Sequence, residues 1–193
     1  MDELPVIETA RLSLFIPGPN DAARCVRFNR DNEAFLKPWE PPMNARSFEP
    51  IAIADWRSRA VTEAKAGTGF SFALVARGVG SDSPILGWCN FTNVIRGIFQ
   101  ACFLGYKLDE RSQGQGYMTE ALGAAIDYLF SEQRLHRIQA NYMPHNQKSA
   151  AVLRRLGFTV EGTARNYLFI GGQWRDHVLT SLVNPDPLVA PKS

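Results

Sequence analysis

Arg111-Ser-Gln-Gly114-Gln-Gly116-Tyr-Met118 lies directly between a strand-like run, Ala101–Leu108 (A-C-F-L-G-Y-K-L), and the clearest helical pattern of the chain, Met118–Phe130. In that helix Met118, Ala121, Leu122, Ala125, Ile126, Leu129 and Phe130 recur at steps of three and one, which is one face of a 3.6-residue period. Asp109–Gln115 reads as a polar turn between the two elements. Glycines there let the backbone approach a ligand closely. The helix start presents unpaired N–H groups and the positive end of its dipole. Together these features suit a pyrophosphate, although a plain strand-to-helix turn accounts for the glycines equally well. Two familiar phosphate loops do not fit. The third glycine of a G-x-G-x-x-G fingerprint is replaced by Thr119, and no G-K-[ST] tripeptide occurs.

Working outward, Arg11–Ile16 reads as a first strand, closed by Pro17-Gly18-Pro19, and Asn20 is placed to cap a helix reaching about Asn29. Lys37–Asn44, with three prolines, must be loop, because proline lacks a donor and restrains its neighbour. Pro50–Lys65 follows as a helix with Ile51, Ala54, Trp56, Val61 and Ala64 on its apolar side, ended by Gly67. Phe70–Ala76 and Ile85–Phe91 predict an antiparallel hairpin across the turn-rich Arg77–Pro84. Beyond the central helix, Arg137–Met143 is a strand cut by Pro144, and Ser149–Leu156 is a helix closed by Gly157. Phe158 opens another strand, and Tyr167–Ile170 and Trp174–Leu182 flank the turn Gly171-Gly172. Asn184–Ser193, with three prolines, predicts a frayed end, flexible over 185–193. No linker or repeat divides the chain, so residues 1–193 read as one α+β domain.

The composition narrows the function classes. The chain has 193 residues, enough to bury a core without disulfides or metals. Lys plus Arg number 21 against 19 for Asp plus Glu, a balance too flat for a nucleic-acid binder driven by bulk charge. Cys25, Cys89 and Cys102 stand singly, as do His136, His145 and His177, so no metal site is expected. The cysteines read as small buried hydrophobes of a reducing compartment. The start lacks a basic and apolar leader pattern, and no apolar run approaches the ~18–20 residues that span a bilayer. A soluble, cytoplasmic protein with no membrane contact is the expectation.

The R-x-x-G-x-G segment between strand and helix resembles the acetyl-coenzyme A loop of the GNAT N-acetyltransferases. Asn146-Gln-Lys-Ser149 followed by Leu156-Gly157-Phe158 resembles the second signature of that family. Phe35-Leu-Lys-Pro-Trp-Glu-Pro41, Asn141-Tyr-Met-Pro-His-Asn146 and Gly172-Gln-Trp-Arg-Asp-His-Val178 are similar to the RimJ-type ribosomal-protein alanine acetyltransferases in particular, and the likeness runs from about Glu8 to Pro185. It implies an α/β/α sandwich: a mixed, mostly antiparallel sheet with helices on both faces and a splay between two central strands, Ala101–Leu108 and Arg137–Met143. It also implies acetyl-CoA as the acetyl donor and the N-terminal alanine of a small-subunit ribosomal protein as the acceptor.

Roles follow position by position from the resemblance. Backbone amides of Gln113, Gly114, Gly116 and Tyr117, with Gln115 and Met118 alongside, are expected to hold the pyrophosphate. Arg111 lies beside the phosphates or is simply exposed. Tyr106, Lys107 and Leu108 pair main chain to main chain with the pantetheine arm, and an amide near Leu108 polarises the thioester carbonyl. Asn146 hydrogen-bonds the same arm or forms an Asx turn. Ser149 is the candidate acid for the departing thiolate, or a helix N-cap, while Tyr142 reads as a packed strand residue rather than a proton donor. Some relatives carry a base two residues before the Gly-Tyr of this strand, where Phe103 stands here, so Glu40 is the substitute. An α-amine titrates near 7.7–8.0, so a strong base is not required. Trp39, Glu40, Trp88, Asn90, Phe91 and Trp174 are expected to line the acceptor side.

Two other readings stay open at the level of sequence. One is a GNAT enzyme acting on a small amine or antibiotic. The other is a ribosome-assembly or RNA-binding factor on the same fold, for which Arg134, His136, Arg137, Lys148, Arg154 and Arg155 supply local charge. A monomer and a homodimer are both compatible with the sequence.

Overall fold

Alternation along the central strands sends successive side chains into two different cores. In β3 (Phe70–Ala76) Phe72 and Leu74 enter one core and Ala73 the other. In β4 (Gly87–Ile95) Cys89 and Phe91 oppose Trp88 in the same way. A sheet apolar on both faces must be covered on both. In the computed structural model, which describes residues 4–80 and 82–186, helices do this. On one side lie α1 (Ala22–Leu36) and α2 (Pro50–Ala66), and on the other α3 (Tyr117–Ser131) and α4 (Gln147–Arg155).

The sheet has eight strands. It is completed by β1 (Val6–Glu8), β2 (Leu12–Phe15), β5 (Ala101–Leu108), β6 (Arg137–Tyr142), β7 (Thr159–Ile170) and β8 (Gln173–Val183), in the order β1-β2-β3-β4-β5-β6-β8-β7. Every neighbouring pair is antiparallel except β5 and β6, which run parallel. A parallel pair needs a crossover, and α3 supplies it. The α3 stripe read from the sequence is buried in full, against Leu14, Phe72, Phe91 and Ile138 among others. Fully burying one such Leu or Phe contributes about 1.5–3 kcal/mol, so this helix is held mainly by its stripe. The expected α+β architecture and the β3–β4 hairpin are therefore present.

Four expectations need correction. Asn20 does not cap α1: it lies inside a 3-10 turn, Pro19–Asp21, and Asp21 precedes the helix with its Oδ2 accepting from the Gly18 amide. That helix also runs on to Leu36, because Cys25, Val26, Phe28, Asn32 and Leu36 keep a buried side going past Asn29. On α2 the buried positions are Ala52, Ile53, Ala60 and Ala64, whereas Ile51 is 81% exposed. Ala54, Trp56, Val61 and Ala64 do pack against the cores as expected, so Ile51 alone is misplaced, while Ala52, Ile53 and Ala60 join the buried side. Finally, the segments beginning at Phe158 and Tyr167 form one strand, β7, which bends through register shifts between Val160 and Gly162 and between Ala164 and Leu168. β1 escaped notice because three residues show no period. Of the end expected to be flexible, residues 187–193 lie outside the described region.

Candidate active site

β5 and β6 are paired only from Ala101/Arg137 to Leu104/Ala140. Beyond that point β5 follows β4 as far as Leu108, opposite Gly87, while β6 follows β8 as far as Tyr142, opposite Val178. The sheet therefore splits between its two parallel strands. Gly87 helps to hold β5 to the β4 side, because a Cβ there would lie 2.6 Å from the Lys107 carbonyl oxygen. The Asp109 amide donates to the Leu86 carbonyl at 2.7 Å. Antiparallel alternation then turns the backbone groups of Tyr106 and Leu108 away from β4 and into the split.

At the far end of β5 the loop turns into α3 through Gly114 and Gly116, both left-handed at φ 75° and 77°. That conformation suits glycine and costs other residues. Gly116 caps α3 without a side chain, so the first amides of the helix remain available to a ligand. A Cβ at Gly114 would meet nothing within 4 Å, which leaves open space over the loop. Arg11 secures the loop from the side. It donates to the Gln115 carbonyl at 2.9 Å, ion-pairs with Glu120 at 2.6 Å and lies 4.7 Å over the Tyr117 ring. Sequence reasoning missed Arg11, whose distance from the loop in sequence hides it. Arg111 turns outward, 75% exposed, toward Asp31 at 3.3 Å and Asp109 at 3.9 Å. The Met118 side chain is core, against Cys89, so only its backbone faces the loop.

The other flank of the split is the start of α4. Asn146 is its N-cap, Oδ1 accepting from the Ser149 amide at 3.1 Å. Ser149 is therefore not the cap, and its hydroxyl is free for another role: Oγ lies 2.6 Å from the Tyr106 hydroxyl. Burial pushes the Tyr106 phenol well above its usual range, an effect only partly offset by the bond to Ser149. Tyr106 consequently stays protonated at neutral pH. The sequence had marked its backbone, not this hydroxyl.

On the face toward α1 and α2, Lys107 Nζ meets the Glu40 carboxylate at 2.9 Å, so the proline-rich loop reaches β5. Trp39 lies 5.5 Å from the His145 ring, tying that loop to the turn before α4. Asn90 accepts from Ser71 Oγ at 2.7 Å. Trp88 is 5% exposed, covered by Phe28 and Arg57, and is a floor more than a lining. Two expected acceptor residues lie elsewhere. Phe91 points the opposite way into the core under α3, because it is one residue out of phase with Asn90. Trp174 stands at the β7–β8 tip, 60% exposed against Phe169. Of the basic residues, Arg137 is ion-paired with Glu161, and Lys148 lies over the Phe35 ring. Among the described residues no cluster of His, Cys, Asp or Glu could hold a metal, and no helix is long and apolar enough to cross a membrane.

A split parallel pair, a glycine loop at a free helix start and a capped second helix can together receive a long phosphate-bearing thioester. The acetyltransferase (GNAT) domain family matches residues 11–159. The chain belongs to that family. As a GNAT acetyltransferase it is 45% identical, over 93% of its length and 91% of the relative, to the [ribosomal protein uS5]-alanine N-acetyltransferase of Escherichia coli (strain K12). A solved structure of the ribosomal-protein-S5-alanine acetyltransferase from Vibrio fischeri superposes with TM-score 0.89 at 36% identity, covering 94% of this chain and 98% of that one. The Mycobacterium smegmatis RimJ structure, in complex with CoA-disulfide, gives 0.83 at 27% identity, covering 96% and 88%. The GNAT chain thus has the mixed sheet and the split implied by the resemblance.

Proposed function

We propose that this GNAT enzyme transfers acetyl from acetyl-CoA to the N-terminal alanine of a small-subunit ribosomal protein. The observation that carries the reading is the split itself: a backbone-lined slot lies between a helix start with no side-chain cap and a hydroxyl pair. The 45% identity to the Escherichia coli uS5-alanine enzyme supports the choice of acceptor. Amides from Gln113 to Met118 take the pyrophosphate, and Tyr106, Lys107 and Leu108 align the pantetheine arm as an added strand. The Leu108 amide donates to the thioester carbonyl oxygen, where negative charge grows during attack. Ser149 gives its proton to the sulfur as the C–S bond breaks and regains one from solvent, with Tyr106 hydrogen-bonded behind it. Glu40, beside Lys107, takes a proton from the incoming amine, directly or through water. With an α-amine already about a tenth neutral at pH 7, positioning supplies much of the rate.

The experiment is to incubate the purified protein with acetyl-CoA and, in parallel, a ribosomal protein beginning with alanine, a polyamine and an aminoglycoside. Acetylation of the ribosomal protein alone is expected. Preferential turnover of a small amine would replace this acceptor with the small-amine alternative.

A further inference from the structure

Arg57, on α2, is the unexplained charge of the acceptor face. Its guanidinium lies 4.9 Å over the buried Trp88 ring, and Nη1 donates to Ser71 Oγ at 3.1 Å. Ser71 passes the chain on to Asn90 at 2.7 Å. Among the described residues no carboxylate lies within 4 Å of Arg57, in contrast to Arg11, Arg24 and Arg137. Desolvation holds this guanidinium below its usual range, with Cys25 and Glu63 only partly compensating. The Trp88 indole N–H beneath it is buried without a hydrogen-bond partner. A cation taken out of water and given one neutral partner is costly unless an anion arrives.

The register shows where that anion would come from. Ser71 stands opposite Asn90, and Asn90 opposite Gly105, so one straight row crosses β3, β4 and β5 and ends at the split. Gly105 offers no side chain to block the row and is exposed. Neighbouring strands are about 4.8 Å apart, so the row spans about 10 Å, with Arg57 one hydrogen bond further. An extended peptide advances about 3.3 Å per residue. A chain whose amine sits at the split therefore brings its fourth residue to the far end of the row. An acidic side chain at the third or fourth position spans the remaining distance to the guanidinium.

Resting on the acceptor proposed above, we infer that Arg57 is a specificity residue that reads a carboxylate side chain at the third or fourth position of the acceptor. The guanidinium fork then pairs with the carboxylate, and the Ser71–Asn90 chain holds the fork in place.

The test is steady-state kinetics on alanine-initiated peptides with Glu or Gln at residue three or four. The wild-type protein should favour a Glu peptide by at least about tenfold in kcat/KM, the least that a hydrogen bond to a charged group contributes. The gain should appear in KM. Arg57→Met should erase the difference and Arg57→Lys should keep part of it, with coenzyme affinity by calorimetry reporting that each variant is folded. Equal turnover of Glu and Gln peptides by the wild type would overturn the inference while leaving the proposed acceptor standing. No turnover of any N-terminal amine would remove the acceptor reading, and this inference with it.

Discussion

The hydroxyls of Tyr106 on β5 and Ser149 on α4 lie 2.6 Å apart, joining the two flanks of the split sheet. The Tyr106 hydroxyl also lies 3.1 Å from the Ser149 carbonyl, which accepts its one proton when the serine hydroxyl is the donor of the shorter contact. Since Asn146 caps α4, nothing in the helix start needs the serine hydroxyl. The pair thus stands at the split, where the proposed reaction puts the leaving group.

Ser149→Ala should lower kcat by roughly 10²–10⁴, the span of a positioned acid. Coenzyme affinity should change little, because the hydroxyl matters when charge appears on sulfur. Tyr106→Phe should cost about tenfold, one hydrogen bond to a developing charge. Single-turnover kinetics with calorimetric coenzyme binding checks both. Unchanged turnover in Ser149→Ala would return the serine to a packing role.

Gly114→Glu should abolish coenzyme binding with the fold retained. Space is open at that position, so the side chain fits, but it sets a negative charge where the amides of α3 would face phosphates. The left-handed backbone adds about 1–2 kcal/mol of strain. Gly116→Glu should behave likewise, although there the new side chain starts 3.6 Å from Arg11, which can draw it aside. Calorimetry showing native affinity in Gly114→Glu would move the phosphates elsewhere.

For Glu40→Gln the expectation is a lower kcat at pH 7 that recovers as pH rises past the α-amine pKa of about 8. Above that pH the acceptor needs no base. A pH–rate profile with kcat intact and KM raised would instead make the Glu40–Lys107 pair an entry site for the cationic amine. That outcome would leave water as the base.

Much of this was legible because it is periodic or local. The α3 stripe and the β5 run depend on residues a few places apart, and their boundaries agree with the fold to within a residue or so. The glycine loop was readable because left-handed turns favour one residue type. What sequence could not show is what distant segments contribute. Arg11 reaches Glu120 across the fold, and Arg57 reaches Ser71 from another element. Asn90 and Phe91 are adjacent in a strand and cannot share a face. Which of them looks toward the acceptor side depends on how the helices cover the sheet, and sequence does not show that. Ser149 was open between cap and acid until the side chain of Asn146 was seen to occupy the cap.

Stability should fall above about pH 8.5. Burial pushes the Cys25 thiol up to about 11 and the Cys102 thiol up to about 12. Unfolded cysteine titrates near 8.5, so above that pH the unfolded state binds fewer protons than the native one. The stabilisation is complete below pH 8.5 and is lost as pH rises toward 11, by up to about 1.4 kcal/mol per pH unit for Cys25. Urea denaturation from pH 8 to 10.5 should show the decline, less steep in Cys25→Ala. Identical slopes in the two proteins would refute the assignment.

The central claim is that the split between β5 and β6 delivers acetyl to an α-amine. It is tested most directly by tandem mass spectrometry of one peptide that begins with alanine and carries an internal lysine, after reaction with acetyl-CoA at pH 7. A single acetyl group on the alanine nitrogen, made by the wild type and nearly lost in Ser149→Ala, is the result expected. Acetyl found on the lysine, or on both amines alike, would contradict it.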